Sequence, residues 1–264
     1  MPFLDVSDGT ELFFEDTGGD ALPVLLAHGF LMDHRSFDPQ VDEFPEYRWV
    51  RWDLRGHGRT TTPEDGFTFW DQARDGLALL DHLGIERAVF GGHSQGGFLA
   101  MRMALLAPDR CAGLLLFGTT DEPYPEEHAE GYRLVFADWD PRSEAGENFA
   151  RTLATTMIGG ELEYQQMWRE RWKENSLSGF SAAVDCLVEV DDLSGLTPTL
   201  ERPALVVRGV ADQAFTPEQT QRLVDRLGPN SSLVTIPDQT HGAHMTAPQA
   251  VNRHVRGWLT EVSA

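Results

Sequence analysis

The segment VFGGHSQGGF, from Val89 to Phe98, places a serine between glycines at the spacing G-x-S-x-G. A serine hydroxyl is a weak nucleophile unless a base takes its proton and donors stabilise the oxyanion that forms. RAVFGG before the serine is typical of a buried strand, and GGFLAMRMALLAP after it is typical of a helix buried on most sides. We therefore predict that Ser94 is a nucleophile in a sharp turn between strand and helix, where Gly92 and Gly96 leave room for the backbone. The alternative interpretation is a glycine-rich turn with an incidental serine.

A histidine is the expected base for such a serine, and the chain contains nine. His241 lies in IPDQTHGAHMTAP, directly after the last apolar run, where a loop of small residues can bring an imidazole over the serine. We predict His241 as the base, and His244, three residues later, is the alternative. Five other histidines are interpreted as structural residues in loops or on predicted helices: His28, His57, His82, His128 and His254.

An orienting carboxylate is expected after a strand that lies between the serine and the histidine in the sequence. Asp212 in VVRGVADQAFTP fits this position, and it is the predicted third member of the site. Asp121 or Glu122, after LLLFGTT, is the alternative, because the neighbouring strand end can reach the same point.

The elements that must position these residues are apolar runs of strand length alternating with helical patterns. Asp-Gly between Phe3–Val6 and Leu12–Phe14 predicts an antiparallel hairpin. Six further runs predict buried strands: LPVLLAHG, YRWVRWD, RAVFGG, AGLLLFG, PALVVRG and SSLVTIP. Strands that alternate with helices predict an α/β fold with a mostly parallel sheet and helices on both faces.

Several helices can be delimited from their end signals. The pattern in residues 67–84 places five apolar residues at intervals of three and four, and these are expected to face the core: Trp70, Ala73, Leu77, Leu80 and Leu83. A helix in TPEQTQRLVDRLG is predicted to begin after the N-cap Thr216 and to end at Gly228. A last helix is predicted from about Thr246 to Val262.

The alternation of strands and helices fails over residues 120–195, which hold no clear strand pair but many aromatics. We interpret this segment as a helical cap inserted into a core made of residues 1–119 and 196–264. The cap aromatics can pack as a small core of their own, or they can roof a ligand pocket. Four of them are predicted to line such a pocket: Phe136, Trp139, Trp168 and Trp172.

Composition narrows the classes of partner. The chain has 42 acidic and 21 basic residues, a net charge of −21, which repels phosphate backbones and anionic membrane surfaces. Cys111 and Cys186 lack metal-ligand spacing and are expected to be free, buried thiols. The N-terminus lacks a signal-peptide pattern, and no apolar run has the length of a membrane span, so a cytoplasmic protein without nucleic-acid or membrane partners is expected.

Five stretches together resemble the α/β-hydrolase superfamily, in particular its small esterase, lactonase and cofactor-free haloperoxidase-like group. They are LLAHGFLMDHRSFDPQ, VRWDLRGHGRT, FGGHSQGGFLA, PALVVRGVADQAFTP and IPDQTHGAHMTAP. The resemblance spans residues from about 23 to the C-terminus and leaves the cap unmatched. This chain has QTH where the family often has Gly-His, and Ser94 differs from the aspartate nucleophile of dehalogenases and epoxide hydrolases.

The resemblance implies that Ser94 attacks, His241 relays the proton and Asp212 orients His241, while the N–H groups of Phe30 and Gln95 form the oxyanion hole. It further implies hydrolysis of a small hydrophobic carboxylic ester or lactone through an acyl-enzyme, without a metal or cofactor. Three alternatives remain on the same fold: hydrolysis of a carbon–carbon bond in a diketone, cofactor-free oxygenation, and ligand sensing without turnover.

Overall fold

A computed structural model describes residues 2–6, 8–62, 66–124, 126–137, 139–175 and 179–263. Within them the chain forms eight strands: β1 (Phe3–Asp5), β2 (Glu11–Asp16), β3 (Pro23–Ala27), β4 (Arg48–Trp52), β5 (Ala88–His93), β6 (Cys111–Phe117), β7 (Ala204–Gly209) and β8 (Ser231–Ile236). They form a single sheet in the order β1-β2-β4-β3-β5-β6-β7-β8. β1 and β2 pair antiparallel, as the hairpin signal predicts, and β2 pairs antiparallel with β4. The remaining pairs are parallel, so the predicted mostly parallel sheet is confirmed.

Ten α-helices accompany the sheet in the described ranges. They are α1 (Asp38–Glu43), α2 (Phe69–His82), α3 (Gln95–Leu106), α4 (Glu126–Phe136), α5 (Glu144–Leu153), α6 (Leu162–Glu174), α7 (Phe180–Val188), α8 (Pro217–Leu227), α9 (Ala243–Thr246) and α10 (Pro248–Ser263). Buried residues form two apolar clusters; Leu25, Phe90 and Leu116 lie in one, and Leu26, Val89 and Leu115 in the other. Because side chains alternate between the faces of a strand, the central strands are covered on both faces.

The most deeply buried face of α2 lies slightly to one side of the face that its apolar spacing predicts. Ala73 and Leu80 are buried as expected, but Gln72 and Asp75 are buried as well. Both polar side chains serve Arg55: Asp75 accepts from its guanidinium at 2.6 and 2.9 Å, and Gln72 accepts from its backbone N–H at 3.2 Å. Three of the predicted core residues pack against the core but are only partly buried: Trp70, Leu77 and Leu83.

The last helix is found where the sequence predicts it, because α10 spans Pro248–Ser263 and the predicted range is from about Thr246 to Val262. Pro248 has no backbone N–H and restricts the residue before it, so α9 ends at Thr246 and α10 starts at Pro248. The predicted caps of α8 are present, because Thr216 accepts from the Gln219 N–H at 3.2 Å and Gly228 has φ +81°.

Between β6 and β7 the described residues form the four helices α4 to α7 and no strand. A π-helical turn, Ala154–Ile158, follows α5 directly. The division into a core of residues 1–119 and 196–264 and a cap of residues 120–195 stays a prediction about domains. Cys111 and Cys186 are free and buried, as expected, and burial raises the pKa of each thiol to about 12. Among the described residues, every helix is too short or too polar to cross a lipid bilayer.

Candidate active site

Ser94 lies in the turn between β5 and α3, with φ +55° and ψ −117°. Backbone in this region is strained for a residue other than glycine, by about 1–3 kcal/mol. The turn is tight because the backbone packs closely: a Cβ on Gly92 would collide with the backbone of Gly96, and one on Gly96 with the carbonyl of Ala27. The Ser94 N–H donates to the Phe117 carbonyl at 2.9 Å, which ties the turn to the end of β6.

His241 and Asp212 form a buried pair. The His241 Nδ1 donates toward both carboxylate oxygens of Asp212, at 3.0 and 3.1 Å. Asp212 also accepts from the Ala214 N–H at 2.8 Å. Burial raises the pKa of Asp212, but the His241 ring and the backbone donors outweigh it, so the pKa lies below its usual value. The His241 Nε2 is buried without a hydrogen-bond partner among the described residues, so it is free to accept a proton.

The ends of four neighbouring strands, β5 to β8, bring these residues to one place. Gly118, directly after β6, has φ +46°, and a Cβ there would lie 3.1 Å from the His241 Nδ1 and 3.2 Å from the Asp212 Oδ2. Ser94 is bonded to Phe117, the preceding residue. All three side chains therefore lie at the carboxyl edge of the sheet, where open α/β sheets bind ligands.

The alternative carboxylates are engaged elsewhere. Asp121 accepts from Arg226 at 2.7 Å, and Glu122 accepts from two nitrogens of Arg222 at 2.6 and 2.7 Å. Burial raises the pKa of Asp121 in spite of this partner. Both arginines belong to α8, so these acids connect that helix to the loop after β6. In the described part of the chain, the carboxylate bonded to the His241 ring is that of Asp212.

The alternative base, His244, has no carboxylate partner among the described residues. Its ring packs against Phe37, Phe117 and His93 at centroid distances of 5.0, 5.4 and 4.4 Å. Burial, together with the charge of His241, lowers the pKa of His244 to about 3. Both ring nitrogens are buried without a hydrogen-bond partner in the described part of the chain.

His93 is a residue of the site that sequence reasoning missed. It is fully buried, its Nε2 donates to the His241 carbonyl at 3.0 Å, and the two rings lie 4.4 Å apart. Burial, with further contributions from His241 and His244, holds the pKa of His93 well below its usual value. Its position directly before Ser94 was the signal available in the sequence.

The loop after β3 carries the predicted oxyanion donor Phe30. The Gly29 carbonyl accepts from the His28 Nδ1 at 2.8 Å and from the Met32 N–H at 3.1 Å. Because the peptide unit that joins Gly29 and Phe30 is planar and trans, these bonds hold the Phe30 N–H pointing away from the direction of the Gly29 carbonyl. The His28 Nε2 accepts from the Leu54 N–H at 2.9 Å, which requires a neutral ring, and burial lowers the pKa of His28 accordingly. His28 therefore shapes the loop, as predicted.

The second predicted donor is the N–H of Gln95, the first residue of α3. An N–H at this position has no partner within its own helix, and the helix dipole there favours an anion. The hydrogen bonds found among the described residues include none donated by the N–H of Phe30 or Gln95. Both donors are thus available to a ligand oxygen.

The other histidines match their structural interpretation where they are described. The His57 Nδ1 bonds to the Arg55 carbonyl at 3.0 Å, and burial lowers the pKa of His57 to about 3. His82 and His254 lie on α2 and α10. The side chain of His128 lies outside the described residues.

A cavity of about 400 Å³ opens between α4, α5 and the loop after β3. Its lining includes Phe30, Leu31, Tyr132, Phe136, Leu153 and Met157. The described lining contains no charged side chain and is mostly hydrocarbon, which suits an apolar ligand group. Ser94 and His241 are not part of this lining, and Phe30 connects the cavity to the predicted oxyanion donor.

Of the four aromatics predicted to line a pocket, the structure places Phe136 in this cavity and the other three outside its described lining. Trp139 donates to the Gly146 carbonyl at 3.3 Å, inside the helical segment. Trp168 is fully buried, and Trp172 donates to the Leu31 carbonyl at 2.5 Å. The indole N–H groups of Trp139 and Trp172 thus have the partner that a buried indole usually finds, whereas that of Trp168 has none among the described residues.

A group with metal-ligand spacing also occurs in the described residues. Asp33, His34 and Asp53 offer ligand atoms within 4.8 Å of one another. These atoms are already used: the His34 Nδ1 donates to Asp53 at 2.7 Å, Arg35 binds Asp33 at 2.7 Å, and the Arg59 N–H bonds to Asp53 at 2.8 Å. The group is fully explained by hydrogen bonding within the protein.

Comparison with known proteins defines the class to which this fold and site belong. The sequence profile of the alpha/beta hydrolase fold matches residues 23–248, and the chain belongs to this family. A solved structure of a thermophilic esterase from Thermogutta terrifontis superposes with a TM-score of 0.88 at 32% identity, covering 98% of this chain and 97% of that one. The fold and the superfamily expected from the sequence are therefore confirmed.

Two sequence relatives identify activities found within the family. A bifunctional esterase/perhydrolase from Acinetobacter calcoaceticus is 25% identical and covers 98% of this chain and 99% of its own length. A non-heme chloroperoxidase from Burkholderia pyrrocinia is 28% identical over 92% of this chain and 93% of its own length. The relatives thus include the esterase and haloperoxidase-like groups that the motifs resemble.

Proposed function

We propose that this protein is a serine hydrolase that cleaves a small hydrophobic carboxylic ester or lactone. The observation that carries the proposal is the His241 imidazole, which is bonded to Asp212 through Nδ1 while its Nε2 has no hydrogen-bond partner among the described residues. This pair lies at the same strand ends as the strained turn of Ser94. Nucleophile, base and orienting acid are thus assigned to Ser94, His241 and Asp212.

The mechanism follows from these roles. The Ser94 Oγ attacks the carbonyl carbon while the His241 Nε2 takes its proton. The N–H groups of Phe30 and Gln95 stabilise the oxyanion of the tetrahedral intermediate. This intermediate collapses as His241 protonates the leaving alcohol, which leaves an acyl-enzyme. A water deprotonated by His241 then attacks the acyl group, and the acid is released with Ser94 restored.

Substrate class is inferred from the cavity and the charge of the protein. An uncharged cavity of about 400 Å³ next to Phe30 favours a neutral apolar group on the substrate. The net charge of −21 makes nucleic acids and anionic membranes poor partners. The esterase relatives support hydrolysis of an ester in preference to the alternatives of diketone cleavage, oxygenation or ligand sensing.

The test is intact-mass analysis after treatment with a fluorophosphonate, combined with turnover of p-nitrophenyl esters. Wild-type protein should gain one adduct, and Ser94→Ala should lose it together with at least a ~10³-fold fall in kcat/KM. Ser232→Ala, an exposed serine on β8, is the matched control and should behave as wild type. A folded protein with neither adduct nor turnover would overturn the proposal. Oxygen uptake would favour the oxygenase, and tight binding without turnover would favour the sensor.

A further inference from the structure

Trp172, on α6, contacts the loop after β3 although the two are far apart in sequence. This loop, residues 28–32, carries the proposed oxyanion donor and is called the oxyanion loop below. Its side chain is 1% exposed, and its indole N–H donates to the Leu31 carbonyl at 2.5 Å across 141 residues. Leu31 directly follows Phe30, whose N–H is the proposed oxyanion donor. A side chain from the inserted helical segment therefore reaches the backbone that carries this donor.

The loop needs such a contact because of its backbone conformation. Gly29 to Met32 form a turn closed by the Met32 N–H and the Gly29 carbonyl at 3.1 Å. Leu31 occupies its third position with φ +62°, a value that favours glycine and is disfavoured for leucine. The His28 Nδ1 bonds to the Gly29 carbonyl at the start of the turn, and the Trp172 indole N–H bonds to the carbonyl of Leu31, the residue with positive φ.

Two ion pairs join the same helix to the chain that follows the loop. Arg35 lies 3.4 Å from Glu174, and Arg171 lies 3.9 Å from Asp38. Glu174 and Arg171 belong to α6, while Arg35 and Asp38 follow the turn by a few residues. Exposed pairs of this kind contribute little stability, but they show that α6 approaches this part of the chain on both sides of Trp172.

We propose that Trp172 is a positioning residue for the oxyanion loop. By holding the Leu31 carbonyl, its indole N–H keeps the turn in its strained conformation and keeps the Phe30 N–H aimed at the oxyanion. This inference rests on the proposed function and deepens it, because it gives α6 a role in transition-state stabilisation in addition to packing. Trp172 touches no reacting atom in this role.

The chain offers a closely matched control in Trp168. Both tryptophans lie on α6 and are almost fully buried, but only Trp172 bonds to the loop among the described residues. Trp172→Phe removes the N–H and keeps an aromatic ring, and Trp168→Phe makes the same change in volume without touching the loop. Any general effect of shrinking a buried indole on the helix appears in both variants.

Kinetics separate positioning from packing. Trp172→Phe should lower kcat for ester hydrolysis about 10- to 100-fold, somewhat less than the ~10²–10³-fold loss on removing an oxyanion donor outright. KM should stay within about threefold, and binding of a trifluoromethyl ketone, which forms the oxyanion, should weaken by the same factor as kcat. The pH profile of kcat/KM should be unchanged, because His241 and Asp212 are untouched. Trp168→Phe should leave all of these within about twofold.

A measurement independent of turnover completes the test. Hydrogen exchange of the peptide that contains Met32 should accelerate in Trp172→Phe and stay at the wild-type rate in Trp168→Phe, because the Met32 N–H closes the turn. Equal kinetics and equal exchange in the two variants would overturn the positioning role. Wild-type protein without Ser94-dependent turnover would overturn the proposed function, and unchanged exchange in Trp172→Phe would separately remove the contact's role in the loop.

Discussion

The His93 Nε2 lies 3.0 Å from the carbonyl oxygen of His241. The residue directly before the proposed nucleophile thus holds the backbone of the proposed base. A Cβ on Gly29 would also collide with the His93 ring, so the same side chain packs against the oxyanion loop. His93 is therefore a shared support for the three loops that meet at the site.

Replacing His93 should affect both stability and turnover. His93→Ala leaves the buried His241 carbonyl without its donor, a loss of about 1–3 kcal/mol in the free energy of unfolding. His93→Gln can supply an N–H at a similar distance, so it should recover most of the stability and of kcat. Urea unfolding and steady-state kinetics on both variants test this, and equal losses in Ala and Gln would show that the hydrogen bond is unimportant.

The identity of the orienting acid can be decided by two matched substitutions. Asp212→Asn keeps the shape of the side chain but cannot stabilise the protonated His241, so kcat should fall about 10³- to 10⁴-fold. Asp121→Asn removes a carboxylate that is bonded to Arg226, so kcat should stay within about threefold. The opposite order of effects would assign the role to Asp121.

The buried histidines give stability a defined dependence on pH. Burial lowers the pKa of His57 and His244 to about 3, and it also lowers that of His93, whereas the unfolded value is near 6.5. The unfolded chain therefore binds more protons below pH 6.5. For His57 and His244, this contribution to the free energy of unfolding is present above pH 6.5 and is lost as the pH falls toward 3, by up to about 1.4 kcal/mol per pH unit for each group. His93 contributes in the same direction.

His244→Phe isolates one of these contributions, since the ring already packs against Phe37 and Phe117. The free energy of unfolding, measured in urea between pH 5 and 6.5, should depend less steeply on pH in the variant, by about 1 kcal/mol per unit. An identical slope in wild type and variant would show that His244 is protonated in the folded protein.

The parts of the site that sequence predicts are those with local signals. Ser94 is marked by flanking glycines between a strand run and a helix run, and the structure shows why: Gly96 packs against the carbonyl of Ala27. Asp212 and His241 each follow an apolar run, and parallel strands bring such positions to one edge. These signals need only a few neighbouring residues, so they can be read without knowing the tertiary contacts.

The parts that sequence misses depend on distant partners. The aromatic-rich segment 120–195 predicts that Trp172 packs in a small core or lines a pocket, but the Leu31 carbonyl that it binds is 141 residues away. On α2, likewise, the buried Asp75 is bonded to Arg55, which lies 20 residues earlier in the chain. Periodicity predicts burial and does not identify the partner.

The cavity next to Phe30 should set the length of the ester group that is accepted. Leu153 lines it, and Leu153→Trp fills part of the roughly 400 Å³ space. Each methylene excluded from an apolar site loses about 1 kcal/mol of binding, so kcat/KM for p-nitrophenyl octanoate should fall at least ~30-fold while that for the acetate stays within about threefold. The measurement is kcat/KM across esters of increasing chain length.

Leu162→Trp provides the control for this substitution. Leu162 is 64% exposed on α6 and does not line the cavity, so the same change there should leave the chain-length profile as in wild type. A parallel fall for all esters in Leu153→Trp would mean that the substitution disturbs the catalytic residues themselves. A change in the profile with Leu162→Trp would place the ester chain elsewhere. A fall in kcat/KM for long esters only, seen in Leu153→Trp and not in Leu162→Trp, would assign the cavity to the apolar group of the substrate. The reason is that the added indole and the added methylenes would then occupy the same space.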